Sequence, residues 1–216
     1  MNKKDIVKEI TYLTTLLVEC GLVEKQNLPS DNNGQIYISG DFDHSISLKT
    51  NVNYRDIYKV LREQNNYNLL FLDGAIVQIM YKFDNRNNLI KSRLCYFPCP
   101  DLLSFDEGED SYDNDDIYAD IIHNNILPTA IRFDFDPSCH EEVFHSCSHV
   151  TFGQYKNCRI PVTAPLTPFR FIDFIIRNFY HNGFRSIIND FNKIKTKDFS
   201  TSMTKLESEI IHLNYF

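Results

Sequence analysis

The pattern of apolar and polar positions divides the chain into helical ends and a β-rich middle. Ile6, Ile10, Leu13 and Leu17 recur at helical spacing, and Gly21 follows as a stop, which predicts a first helix. The polar stretch Gln26 to Gln35 is rich in Pro, Asn and Gly and is expected to be a loop. Ile36 to Ser39 and Ser45 to Leu48 are expected to be short strands. Tyr54 to Gln64 is expected to be a second helix, with Ile57, Val60 and Leu61 on one side.

A hairpin follows. Ala75, Val77, Ile79 and Tyr81 alternate with Ile76, Gln78 and Met80, and a second run extends from Leu89 to Phe97. Asp84 to Asn88 supplies the turn, and Pro98 and Pro100 end the second strand. A further strand, Thr129 to Phe135, sends Ile131, Phe133 and Phe135 one way and Arg132, Asp134 and Asp136 the other. His149 to Phe152 and Cys158 to Val162 complete the strands. Thr167-Pro168 caps a largely apolar helix, whose polar stripe is Arg170, Asp173, Arg177 and His181. The expected fold is a single α+β domain spanning 1–216, with a mainly antiparallel sheet packed against N-terminal and C-terminal helices. Its parts are helical (1–68), β-rich (69–165) and helical again (166–216).

Composition supports a folded chain with a large core, 43% hydrophobic and 24% charged. No apolar run approaches the ~20 residues of a membrane span. Residues 1–10 lack the apolar stretch of a secretion signal, so a cytoplasmic protein is expected. Six cysteines in a chain of 216 residues are then expected to be reduced thiols. Charge is uneven. Asp101 to Asp120 holds nine acidic residues and no basic one, whereas Val150 to Lys205 holds nine Lys/Arg against three Asp. The second segment could meet an anion such as a phosphate backbone, or could be a solvated helix surface.

The candidate chemistry lies in IRFDFDPSCHEEVFHSCSH. Arg132, Asp134 and Asp136 share one face of an extended strand, with neighbours ~7 Å apart. Two carboxylates so placed can hold a hard divalent cation or divide acid and base work. His140, His145 and His149 follow within thirteen residues of Asp136 and could move a proton or ligate a metal. A metal set of Asp134, Asp136 and His140 is one reading. The solvent face of an edge strand is another. Cys139 and Cys147 are expected to be ordinary small residues. Lys156, Arg159 and Arg177 are candidate phosphate ligands, although Arg159 could equally neutralise an aspartate. The chain has no Gly-rich phosphate loop, no dinucleotide fingerprint and no G-x-S-x-G elbow.

The runs LLFLDGAIVQIMYKF, RLCYFPCP, RFDFDP and HSCSHVTFGQYKNCRIPVTAPLTPFRFIDFIIRNFY resemble an uncharacterised bacterial domain-of-unknown-function family. The most telling parts are SH-x-T-x-G, NCRIP and RNFY. The resemblance implies no particular activity, but an association with mobile or defence-related gene neighbourhoods. More remotely, an arginine–aspartate strand followed by paired histidines is similar to TumE-like toxins. That family usually places Asn after the aspartate, where Phe135 stands here.

The leading expectation is a cytosolic effector of phage-defence or toxin type, acting as a nuclease or other phosphoester hydrolase on nucleic acid or a nucleotide, RNA included. His149 or His145 would move a proton, and Asp134 and Asp136 would orient it or hold a divalent metal. Arg132, Arg159 and Arg177 would bind phosphate. In that picture, removal of Asp134 or His149 leaves the melting temperature within a few degrees. The rival is a non-catalytic subunit that docks on a larger partner, such as an ATPase or nuclease, through its acidic loop and aromatic side chains. A DNA-binding regulator comes third, because no helix-turn-helix signature is present.

Overall fold

The computed structural model describes residues 1–32, 34–38, 52–101, 129–155 and 157–215. The expected strand at Ser45 to Leu48, a short helix near Ile117 to Ile122 and nearly all of the acidic segment lie outside the described residues.

Helix α1 (Lys3–Glu19) begins where Asn2 and Asp5 satisfy each other's backbone amides, and its stripe of Ile6, Ile10, Leu13 and Leu17 is buried. Three short strands follow, β1 (Val23–Gln26), β2 (Pro29–Asn32) and β3 (Gln35–Ile38). The segment expected as a loop is thus largely strand. β2 and β3 form a hairpin joined at backbone groups, from Pro29↔Ile38 to Asn32↔Gln35, which needs no apolar alternation. Gly34 turns it with φ +86°, and a Cβ there would lie 2.8 Å from the Phe83 carbonyl oxygen.

Helix α2 (Tyr54–Glu63) is capped by Asn53 and buries Ile57, Tyr58 and Leu61. The remaining strands are β4 (Leu69–Phe71), β5 (Ile76–Phe83), β6 (Leu89–Phe97), β7 (Ile131–Phe135), β8 (Ser148–Phe152) and β9 (Ile160–Pro161). In the β5–β6 turn, the Asp84 carboxylate accepts the backbone N–H groups of Arg86 and Asn88, both at 2.8 Å. Helix α3 (Pro168–Phe179) opens on Thr167, whose hydroxyl accepts the Arg170 amide, and α4 (His181–Phe191) follows after Tyr180.

The nine strands of the described residues join one antiparallel sheet, with the path β1-β4-β5-β6-β7-β8-β9. β3 shares an edge of β5 with β4 and carries β2 outward. The chain is a single α+β domain, as the hydrophobic pattern implies. Alternation along the strands creates two faces. One carries Val77, Ile79, Tyr81, Leu94, Tyr96, Ile131, Phe133 and Val150 and forms the main core with α1, α3 and α4. Phe171, Ile172, Ile175 and Ile176 of α3 are wholly buried there. Truncating one of the isoleucines to Ala would cost about 2–5 kcal/mol.

Among the described residues, the second face is covered at one end, where α2 packs Ile57, Tyr58 and Leu61 on Leu70, Ile76, Cys95 and Phe97. Beyond that end the same face becomes polar across β6, β7 and β8. The outer edge of this region is closed by the C-terminal segment. Leu213 donates its amide to the Pro161 carbonyl (2.8 Å) and accepts that of Thr163 (3.0 Å), and the Ser202 hydroxyl donates to that of Ser148 (2.8 Å).

Candidate functional site

Strand register places the site. Arg93 on β6 is opposite Asp134 on β7, and Asp134 is opposite His149 on β8, so the three side chains form a row across the second face. Arg132, two residues before Asp134, projects from the same face. β7 is an interior strand and Asp134 is only 9% exposed, so the edge-strand reading of this carboxylate does not hold.

Asp134 is gripped from two sides. Oδ1 accepts Nε of Arg93 (2.8 Å) and Oδ2 accepts Nε of Arg132 (2.5 Å). Burial disfavours its charge, but Arg132 and Arg93 outweigh that penalty and hold the carboxyl below the ordinary carboxylate range. Each guanidinium has then used Nε, and its terminal Nη groups have no hydrogen-bond acceptor among the described residues. Both arginines therefore retain donors for a further anion.

His149 Nε2 lies 3.8 Å from Asp134 Oδ2. Its Nδ1 is 2.9 Å from the Ser146 carbonyl, and because a carbonyl only accepts, Nδ1 carries the proton. In the neutral ring, Nε2 is thus a proton acceptor turned toward the carboxylate and its arginines. Burial lowers the His149 pKa against the opposing pull of Asp134, which favours that neutral form. His145 packs edge-on against His149, with ring centroids 4.9 Å apart. Its pKa is lowered by burial and by the nearby positive charge of Arg159.

Asp136 caps the 3₁₀ turn Pro137–Cys139. Its Oδ1 accepts the Ser138 hydroxyl (2.6 Å) and amide (3.2 Å), and its Oδ2 pairs with Lys91 Nζ at 2.5 Å. Lys91 and Ser138 outweigh burial and lower its pKa. The chain then makes a narrow turn closed by backbone hydrogen bonds between Glu141 and His145 (2.9 and 2.6 Å), with Val143 at φ +70°.

The structure brings together Arg132, Asp134, His149 and His145, with the charge of Arg159 near enough to act on His145. It does not bring in Arg177, which sits on α3 against the other face and pairs with Asp173 one turn back (2.8 Å). Lys156 lies outside the described residues. The triad Asp134, Asp136 and His140 does not gather as a metal set: the first is held by arginines, the second by Lys91, and His140 stands 3.4 Å from buried Glu207. Among the described residues, no group of three or more His, Cys, Asp and Glu side chains is arranged to hold a metal ion. Cys139 is exposed, and burial raises the pKa of the Cys147 thiol.

Arg93 and Lys91 escaped the sequence reading. Both lie in KSRLCYF, where Lys91 and Arg93 alternate with Ser92, Leu94 and Tyr96. That alternation puts them on the polar face, but only the register against β7 places them beside Asp134 and Asp136.

No described helix is long and apolar enough to cross a membrane. Neither the curated proteins nor the solved structures contain a match to the chain. A family model described as uncharacterized conserved protein (DUF2290) matches residues 22–215, nearly the whole length, and the chain therefore belongs to that family.

Proposed function

We propose that this polar face binds and hydrolyses a phosphoester, and that the protein is a nuclease or related phosphodiesterase of the defence or toxin type. The observation that carries this reading is Asp134 held between Arg93 and Arg132 with the Nε2 of His149 3.8 Å away. In this reading the Nη groups of the arginines and the charge of Arg159 take the phosphate oxygens. Neutral His149 accepts the proton of the attacking hydroxyl or water and, as imidazolium, returns it to the leaving oxygen, with the His145 ring packed against it. Asp134 stabilises the imidazolium as it forms. The cytosol is the working compartment, with nucleic acid as the partner.

The test is incubation of the purified chain with labelled RNA and DNA strands, with and without added magnesium or manganese. Cleavage should fall ~100-fold or more in His149→Gln. Absence of cleavage under every condition would overturn the reading.

A second reading, a non-catalytic subunit docked on a partner, rests on a different observation. Leu206, Ile210, Ile211 and Leu213 are exposed within one short stretch of the chain, Ile211 at 88%. Co-purification of a stable complex that is lost on Ile211→Asp, with no cleavage by the isolated chain, would favour it.

A further inference from the structure

The turn that delivers His145 to the site is built at a cost. Glu141 and His145 exchange both backbone hydrogen bonds, so residues 142–144 must reverse the chain in three steps. The central residue, Val143, sits at φ +70°, where a β-branched side chain clashes with its own backbone. Glycine or asparagine would adopt this conformation without that penalty. Such strain persists only where the surroundings hold it, and it concentrates at ligand-contacting segments. The next side chain, Phe144, is 73% exposed, and the one after it is His145, whose ring lies against His149. The turn thus carries an exposed aromatic ring one residue before the histidine that packs on His149, and the Asp134 opposite His149 is held by arginines whose Nη donors have no acceptor among the described residues.

Resting on the phosphoester reading above, we propose that Phe144 is a stacking platform for a base, and that the ligand of this face is single-stranded nucleic acid. An exposed aromatic on the turn that leads into a face with free guanidinium donors is a pairing that single strands use: phosphates follow the cations and a base lies on the ring. Glu141 and Glu142 are exposed on the same turn and repel phosphate, so the contact made at its tip is with the uncharged base. A duplex keeps its bases stacked inside and has no face to offer Phe144.

The experiment compares the full-length chain and Phe144→Ala for binding to a short dye-labelled single strand and to an abasic strand of equal length. The native chain should prefer the base-bearing strand by roughly 5- to 150-fold, the range that stacking of one base supplies. Phe144→Ala should bind both strands equally, with abasic affinity unchanged, and Phe144→Trp should restore the preference. Equal binding of both strands by the native chain would overturn the stacking proposal and leave the phosphate reading standing. Binding of neither strand would overturn both. Melting curves of the two variants confirm that each is folded.

Discussion

Asp134 faces His149 directly across the β7–β8 ladder, and the imidazole is turned so that Nδ1 meets the Ser146 carbonyl and Nε2 meets the carboxylate at 3.8 Å. Both residues have lowered pKa values, and the consequence for stability has one sign. Below the ordinary histidine value of 6.5, the unfolded chain binds the His149 proton that the folded chain refuses, so stability falls as pH drops through that window. The lowered carboxyl of Asp134 stabilises the fold above its ordinary value of 3.8, and that contribution is lost as pH falls toward its lower folded value. Melting temperature should therefore decline from pH 7.5 to 5, then more steeply below about pH 4. His149→Gln should flatten the first decline, and an unchanged slope would contradict a neutral buried imidazole.

Removal of Asp134 should be structurally expensive. Arg93 and Arg132 are 13% and 20% exposed, and Asp134→Ala leaves both without their carboxylate. Breaking a buried ion pair from one side costs about 3–5 kcal/mol. In a chain of this size that is roughly a 10 °C loss in melting temperature. The sequence pattern treats Asp134 as removable within a few degrees, because alternation does not reveal that the strand is interior. Thermal melts of Asp134→Ala and the milder Asp134→Asn decide the matter.

The candidate arginines should separate. Arg177 is 53% exposed, paired with Asp173 one turn away and stacked over Phe184, so Arg177→Ala should cost within about 1 kcal/mol and leave ligand binding unaltered. Arg159 lowers the His145 pKa. Arg159→Ala should raise the pH at which the His145 ring titrates, read by NMR, and should weaken binding of a phosphate ester several-fold. No movement of the His145 titration would place Arg159 too far away to act on it.

Val143 offers a stabilising change. Val143→Asn removes the β-branch at φ +70° and should raise stability by about 1 kcal/mol, or a melting temperature higher by roughly 2–4 °C. A lower melting temperature would mean that the valine side chain contributes more by packing than its backbone conformation costs.

Much of the fold is legible in the chain. The α1 stripe, the β5–β6 hairpin and the alternation of β7 follow from apolar periodicity, because each element buries one face. The β2–β3 hairpin is not legible, since polar edge strands are held by backbone pairing and carry no such mark. The site is half legible. Arg132, Asp134, His145 and His149 stand out in one segment, whereas Arg93 joins them from about forty residues earlier in the chain, through register alone. Arg177 and His140 fail for a related reason. Sequence proximity says nothing of which face a helix presents, nor of Glu207, which takes up His140 from 67 residues away.

The Leu213 backbone bonds to Pro161 and Thr163 have a practical bearing on handling. They cover the edge of the sheet at β9, next to the strand that holds His149. Clipping or displacing that terminal seam would bare a row of hungry amides and carbonyls, and neighbouring molecules would supply the missing strand for one another. A tag or truncation at this end would therefore tend to turn a dispersed protein into a self-adhesive one before any change in chemistry could be measured.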